Sequence, residues 1–225
     1  MPEFVVEYGQ TTAPAQADGR LDSPAFHRNH EPIWTAICGF LAAQSGDLLE
    51  VGSGTGQHAA VFAGRVPRIN WWPSDIYDSH LKSIAAWRAH SSATNLRTPQ
   101  RIDLSDPGWT WAGDDNVPLV AILCINVLHI SPWRVSQNLV SGAGRLLRDD
   151  GRLFVYGPFK RDGAHTSPSN AAFDRTLRAE NPDWGVRDVS DLNGLARSAG
   201  LTEAEISPMP ANNLVLAFRR TLGHN

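Results

Sequence analysis

The 225-residue sequence predicts one doubly wound α/β domain, with a mostly parallel sheet and an antiparallel last strand. Strand-like and helix-like segments alternate from residue 47 to residue 156, as in repeated β-α-β units. The run 118–125 is apolar throughout, which is typical of a central strand covered by helices on both faces. Only residues 207–212 separate the last two predicted strands, so these strands must be antiparallel.

The expected elements follow one another along the chain. Helix-start signals at Ser23-Pro24 and Glu31-Pro32 precede an amphipathic helix. Strands are then predicted at 47–51, 69–73, 119–125, 152–156, 201–206 and 213–219, and a further strand is predicted to end at residue 102. Helices are predicted from 56, at 79–90, 133–147, 168–178 and 190–199. Residues 1–22 lack apolar periodicity, which predicts a flexible arm ahead of a domain at 23–225.

Composition excludes several kinds of partner. The formal charge is -3, and no run of Lys and Arg occurs, which disfavours nucleic acid and anionic membranes. No apolar stretch approaches the roughly 20 residues that span a bilayer, so we expect a cytoplasmic protein with no membrane partner. Cys38 and Cys124 have apolar neighbours, which predicts reduced core thiols and no metal site or disulfide.

A glycine-rich turn follows the first strand. Residues 48–57 run from an apolar strand through Gly52, Gly54 and Gly56 into a helix, where doubly wound sheets bind nucleosides. The dinucleotide fingerprint requires a third glycine at position 57, which is Gln57 here. The spacing therefore disfavours a pyrophosphate site and a nicotinamide cofactor.

Acidic residues end three successive predicted strands. Glu50 can hold an ammonium or sulfonium group, and Asp75 stands where an acid accepts ribose hydroxyls. Asp103 can accept from an adenine amine, while Ile102 and Leu104 offer apolar contact to the ring. Each acid alone is equally well explained as a turn or helix cap. Their order beside the glycine turn favours a nucleoside site for an adenosyl group with both ribose hydroxyls free.

These residues carry a family resemblance. Residues 50–56, Asp75 and Asp103 resemble the cofactor motifs of class I S-adenosylmethionine (SAM)-dependent methyltransferases, which have a Rossmann-like fold. More narrowly, the chain from Ser23 onward resembles a largely uncharacterised family of bacterial methyltransferase-like proteins, labelled a domain of unknown function. The segments that carry this resemblance are 23–25, 28–29, 32–33, 52–59, 128–133, 156–159 and 173–174.

The resemblance implies SAM as the cofactor and a methyltransferase activity. It places a set of residues at the cofactor: Arg28, Asn29, Glu50, Gly52, Ser53, Gly54, His58, Asp75, Ile76, Asp103, Leu104 and Asn126. Phe26 and His27 depart from the small and acidic residues that are usual in the narrower family.

Methyl transfer is an in-line displacement, so the protein chiefly aligns the nucleophile and excludes water. His129 is the candidate general base, although a histidine there can also hold the loop or cap the next helix. Tyr156 is the second catalytic candidate, or a packed strand-end aromatic. Asn126 is expected to contact the cofactor or orient the acceptor. Residues 126–129 lack the Asn-Pro-Pro-aromatic pattern of many DNA-base and protein-glutamine methyltransferases.

The residues after the fifth strand suggest a substrate-covering segment. Arg187 can pair with a substrate carboxylate or form a structural ion pair with Asp174 or Asp188. Pocket walls, if tryptophans form them, are expected from Trp109, Trp111 and Trp184.

The sequence thus predicts a SAM-dependent methyltransferase acting on a small-molecule acceptor. The alternatives are a SAM-utilising enzyme with other chemistry, such as cyclisation or aminocarboxypropyl transfer, and a non-catalytic SAM-binding protein. The acceptor and the oligomeric state stay open.

Overall fold

The computed structural model describes residues 16–113 and 117–221. The chain divides into two compact units. The amino-terminal unit comprises the described residues of 7–103 and 110–124, and the carboxyl-terminal unit comprises those of 104–109 and 125–225. Most of the predicted arm at 1–22 lies outside the described residues, which begin at Gln16.

The amino-terminal unit alternates helices and strands as predicted. Its elements are α1 (Pro24–Leu41), β1 (Gly46–Val51), α2 (Gln57–Arg65), β2 (Ile69–Asp75), α3 (Asp78–His90), β3 (Gln100–Arg101) and β4 (Leu119–Ile125). Strand β1 pairs in parallel with β2 and β4, and β2 pairs in parallel with β3. Every residue of β4 is buried, as its uninterrupted apolar sequence predicts. Since these strands are parallel, β1 and β2 end at the same edge, which brings Glu50 and Asp75 near each other.

Helix α1 corrects one prediction. The second helix start, at Pro32, is wrong, because a single helix runs through that proline. A proline inside a helix costs about 3 kcal/mol, since it removes a hydrogen bond and crowds the preceding turn. Burial of Ile33, Ile37 and Leu41, all at most 1% exposed, offsets this cost.

The carboxyl-terminal unit contains the antiparallel end of the fold. Its elements are α4 (Trp133–Leu146), β5 (Leu147–Arg161), β6 (Ala164–His165), α5 (Pro168–Glu180), β7 (Arg187–Asp188), α6 (Val189–Ser198), β8 (Glu205–Pro208) and β9 (Asn213–Arg219). Strand β9 is antiparallel to both β5 and β8, so the predicted closing hairpin is present. Strand β5 is longer than the predicted 152–156, and beyond residue 156 it is extended by pairing with β9, β6 and β7.

Two further features of the sequence meet the structure here. Cys124 is fully buried, but Cys38 is only partly buried on α1, where its thiol donates to the carbonyl of Thr35. The prediction of a core thiol is therefore wrong for Cys38. Within 16–113 and 117–221, no helix combines the length and the hydrophobicity needed to cross a bilayer.

Candidate functional site

The glycine turn after β1 is built from left-handed backbone. Gly52, Gly54 and Gly56 have φ angles of 64°, 58° and 90°, which glycine adopts without steric cost. A Cβ on Gly56 would lie 2.8 Å from the Cα of Ile84, so α3 packs directly on the turn there. A Cβ on Gly54 would meet nothing within 4 Å. The turn therefore rests on α3 at one glycine and presents open backbone at another.

Glu50 is buried one residue before the end of β1, with 1% of its surface exposed. Its Oε2 accepts a hydrogen bond from the indole Nε1 of Trp71 at 2.6 Å. Burial, with a smaller contribution from the charge of Asp75, raises the pKa of Glu50 to about 8. The carboxyl group is thus neutral at pH 7. The role predicted from the sequence, holding an ammonium or sulfonium group, requires the ionised carboxylate. Trp71 is fully buried and belongs to the core.

Asp75 is tied to the glycine turn. Its Oδ2 accepts from the backbone N–H of Gly54 at 2.8 Å. Its Oδ1 accepts from the backbone N–H groups of Ile76 (2.8 Å) and Tyr77 (3.1 Å) and contacts Nδ1 of His80 at 3.1 Å. These bonds orient the carboxylate and leave the second lone pair of Oδ2 as its main free acceptor.

Sequence reasoning missed His80. It is 5% exposed, and its Nε2 is buried without a hydrogen-bond partner among the described residues. Its position five residues after Asp75, on the first turn of α3, was the available signal. Only the packing of α3 shows that the ring reaches back to the carboxylate.

The predicted adenine contacts follow β3. Asp103 and Leu104 are neighbours in sequence but belong to different units, Asp103 to the amino-terminal one and Leu104 to the carboxyl-terminal one. Ile102 and Leu104 are buried, at 6% and 8% exposed, and Asp103 is partly buried.

Helices α1 and α2 bring two predicted site residues together. Nε2 of His58 lies 2.9 Å from Oδ1 of Asn29, an acceptor, so this nitrogen carries the proton. Burial and the nearby His30 lower the pKa of His58 to about 3, so the ring is neutral. Phe26 stacks on His30 with ring centroids 4.4 Å apart and meets His58 edge-on at 5.0 Å. Arg28 is exposed, and its side chain makes no hydrogen bond or ion pair within the described chain.

Gln57 joins the end of the predicted arm to the glycine turn. Its Nε2 donates to Oδ1 of Asp22 at 2.7 Å, and its Oε1 accepts from the backbone N–H of Ser23 at 2.7 Å. The hydroxyl of Thr55 donates to the same Oε1 at 3.0 Å. Leu21 donates its backbone N–H to a side chain of α3. Residues 21–23 are therefore held against the turn, while 1–15 lie outside the described residues.

A second polar cluster lies in the carboxyl-terminal unit. Asn126 directly follows β4 in a left-handed conformation (φ 59°) and donates its backbone N–H to the carbonyl of Tyr156 at 2.9 Å. A Cβ on Gly157 would lie 3.3 Å from Nδ1 of His129, a tight contact, and 3.9 Å from Oδ1 of Asn126, an ordinary one, so both side chains pack against this glycine. Tyr156, next to this glycine, is 5% exposed. Asn126 and His129 thus lie together beside Gly157 of β5, and Tyr156 is joined to Asn126 through its backbone carbonyl.

His129 is buried within this cluster, with 7% of its surface exposed. Its ring meets Phe173 edge-on, with centroids 5.6 Å apart. Burial, and then the positive charge of Arg187, lower the pKa of His129 to about 4. The imidazole is therefore neutral at pH 7, which is the form that can accept a proton.

The tryptophans expected as pocket walls are packed in the interior. Trp109, Trp111 and Trp184 are 3%, 5% and 1% exposed. The Trp109 ring occupies the place that a Cβ on Gly142 would take, and Trp111 meets Trp72 edge-on. The expectation is wrong because these large rings fill core volume.

Residues 20–220 match the model of a family described as "protein of unknown function (DUF938)". The chain belongs to this family. The match covers nearly all of the described residues and agrees with the resemblance to an uncharacterised family that the sequence indicated.

Solved structures show the fold of this DUF938 member. It superposes with a TM-score of 0.72 on an O-methyltransferase family protein from Burkholderia thailandensis, at 16% identity, covering 89% of this chain and 58% of the other. Human N-acetylserotonin methyltransferase in complex with SAM gives a TM-score of 0.62 at 14% identity, covering 93% and 61%. The YcgJ protein from Bacillus subtilis gives 0.65 at 13% identity, covering 87% and 100%.

The chain spans about three-fifths of the length of the first two proteins. At these identities the likeness concerns the fold. The predicted Rossmann-like architecture, mostly parallel with an antiparallel last strand, is confirmed.

Proposed function

We propose that the chain is a SAM-dependent methyltransferase that acts on a small-molecule acceptor. One observation carries the proposal: the open backbone at Gly54 is hydrogen-bonded to the carboxylate of Asp75. A glycine turn without side-chain obstruction next to an oriented acid suits a nucleoside whose ribose hydroxyls are free. Gln57, buried against Asp22, stands where a dinucleotide site needs its third glycine.

The residues present fit SAM. Asp75 has a free lone pair on Oδ2 for a ribose hydroxyl, and Asp103 follows β3 as an acceptor for the adenine amine. Glu50, buried beside Trp71, can ionise when it meets the ammonium group of the ligand. When bound, SAM supplies a methyl group on a positively charged sulfur.

The acceptor side of the proposal rests on the second cluster. His129 is neutral, so it can take a proton from a hydroxyl or similar nucleophile as that group attacks. Asn126, fixed by its backbone bond to Tyr156, is proposed to orient the acceptor or the cofactor, and Tyr156 to contact the acceptor. The formal charge of -3 supports a small-molecule substrate over nucleic acid.

Calorimetry with SAM, S-adenosylhomocysteine and NAD tests the cofactor. We expect the wild-type protein to bind the first two and not NAD, and Asp75→Asn to bind SAM at least about tenfold more weakly. Asp78→Asn is the matched control, because Asp78 is an exposed acid three residues further on, paired with Arg101. Equal affinity of wild type and Asp75→Asn would show that the ribose assignment is wrong.

Product analysis tests the reaction. The protein and SAM are incubated with fractionated small-molecule extracts, and the nucleoside product is identified by mass spectrometry. We expect S-adenosylhomocysteine together with an acceptor that is heavier by one methyl group. Methylthioadenosine as the product would instead indicate attack at the aminobutyryl carbon, and SAM binding without any product would indicate a non-catalytic protein.

A further inference from the structure

The carboxyl-terminal unit contains a cavity of about 510 Å³, a size typical of sites for small organic molecules. Three cations line it, Lys160, Arg178 and Arg187, together with Trp133 and two acids, Asp188 and Asp191. All of these residues except Trp133 follow the predicted fifth strand, in the segment that the sequence suggested as substrate-covering. The sequence had left open whether Arg187 meets a substrate or a structural acid.

The side chain of Arg187 donates its hydrogen bonds to neutral backbone carbonyls. Its Nε donates to the carbonyl of Leu128 at 3.0 Å, and its Nη2 donates to the carbonyls of Ser131 and Asp183. Its Nη1 carries two further N–H groups and makes no hydrogen bond to any residue in the described chain. The guanidinium is therefore fixed in place, and its remaining donors are free.

The acids that the sequence offered as partners are committed elsewhere. Asp174, 5% exposed, forms ion pairs with Lys160 and Arg178, both at 3.2 Å. Asp188 is the N-cap of α6 and accepts hydrogen bonds from the first turn of that helix. Neither forms a salt bridge with Arg187 among the described residues, so the expected structural ion pair is absent.

Within residues 16–113 and 117–221, the charge of Arg187 thus has no counter-ion in direct contact. Burial and the nearby Arg178 lower its pKa below the usual value. The guanidinium carbon lies 5.8 Å from the centre of the Trp133 ring, which offers the cation a π-face but no negative charge. A ligand with a negatively charged oxygen would give Arg187 a counter-ion in direct contact.

We propose that this cavity binds an oxyanion, a carboxylate or phosphate, with Nη1 of Arg187 as the direct donor. Lys160 and Arg178 add positive charge, because both pair with the same carboxylate, Asp174, which neutralises only one of the two charges. As the anionic group of the methyl acceptor, this ligand makes the substrate an organic acid or phosphate ester, an assignment that rests on the function proposed above. Asp188 and Asp191 also line the cavity and oppose the anion, which sets an upper limit on its affinity.

Anion binding is measured on the full chain without SAM, by calorimetry with succinate, with inorganic phosphate and with sodium chloride at constant ionic strength. We expect saturable binding of succinate or phosphate, and which of the two binds more tightly identifies the carboxylate or the phosphate. Arg187→Gln should weaken it at least about tenfold and Arg178→Gln by less, since Arg178 is half exposed and acts only through its charge. Asp191→Asn should strengthen binding.

Arg197→Gln is the matched control, because it removes one exposed cation from α6 away from the cavity lining. Thermal melts identify any variant that fails to fold, and in that case Arg178→Gln and Asp191→Asn decide. Equal binding of chloride, or equal affinities in wild type and all cavity variants, would overturn the anion site. Because SAM is absent, this measurement tests the anion site alone. Anion binding here, together with no SAM binding and no product in the two experiments above, would leave this site standing and contradict only the proposed function.

Discussion

The side-chain amide of Gln57 donates to the carboxylate of Asp22 across 35 residues of sequence, at a distance of 2.7 Å. The same amide accepts from the backbone of Ser23, so one buried side chain fastens the entry of the domain to its glycine turn. A residue that distinguishes this turn from a dinucleotide fingerprint thus also has a structural role.

Replacing Gln57 by Ala should release residues 20–23. Loss of these buried hydrogen bonds should cost about 1–3 kcal/mol and increase tryptic cleavage after Arg20, whose side chain is 14% exposed. Limited proteolysis with mass spectrometry measures this. Gln16→Ala, the same exchange at an exposed position, is the control. Equal cleavage rates in the two variants would show that Gln57 does not hold the segment.

Two glycines of the turn should respond differently to alanine. Gly56→Ala places a Cβ 2.8 Å from the Cα of Ile84, so it should destabilise the fold by about 2–5 kcal/mol, through both strain and overlap. Gly54→Ala has a similar backbone conformation but open space, so it should cost only the strain, about 1–2 kcal/mol, and instead reduce SAM affinity.

Chemical denaturation and calorimetry on this pair separate the two effects. If Gly54→Ala bound SAM as tightly as wild type while folding normally, the open backbone would not face the ligand.

Glu50 predicts a pH dependence of ligand binding. With a pKa of about 8 it is protonated at pH 7, so pairing with the SAM ammonium group must release a proton. SAM affinity should therefore rise as the pH approaches 8 and then level off. Calorimetry in buffers of different ionisation enthalpy counts the protons released, and Glu50→Gln should abolish this release.

The raised pKa of Glu50 also makes the free energy of unfolding depend on pH. From the unfolded pKa of 4.5 up to about 8, folded Glu50 holds a proton that the unfolded chain has lost. Its contribution to the free energy of unfolding is therefore full below pH 4.5 and declines as the pH rises to about 8. Thermal melts of wild type minus those of Glu50→Gln isolate this slope. A difference independent of pH would contradict the raised pKa.

His129 should remain neutral across the physiological range. Its pKa of about 4 predicts no titration where exposed histidines titrate, near about 6.5, in NMR spectra of the ring carbons. Arg187→Gln should raise the pKa of His129, because it removes a positive charge. Once an acceptor is known, His129→Gln should lower kcat by about 10²–10⁴ if His129 is the base. An unchanged kcat would assign His129 to the structure alone.

Much of the fold follows from local patterns. Strands β4 and β9 begin and end where their apolar runs predict, at Leu119–Ile125 and Asn213–Arg219. Their signals are runs of consecutive residues, and these depend only on near neighbours in the chain. By contrast, the ends of β5 (Leu147–Arg161) were missed, and at its carboxyl-terminal end the reason is pairing with β6, β7 and β9, which lie further along the chain.

The candidate site shows the same division. The sequence by itself determined the glycine turn, the acids at the strand ends and the antiparallel closing hairpin, since spacing and turn chemistry encode these. Only the tertiary structure decided that Glu50 is neutral, that His80 holds Asp75, and that Arg187 forms no ion pair with an acid in the part of the chain that the structure describes. Burial and hydrogen-bond partners depend on groups that packing brings from distant parts of the chain, and periodicity along the sequence carries no record of them.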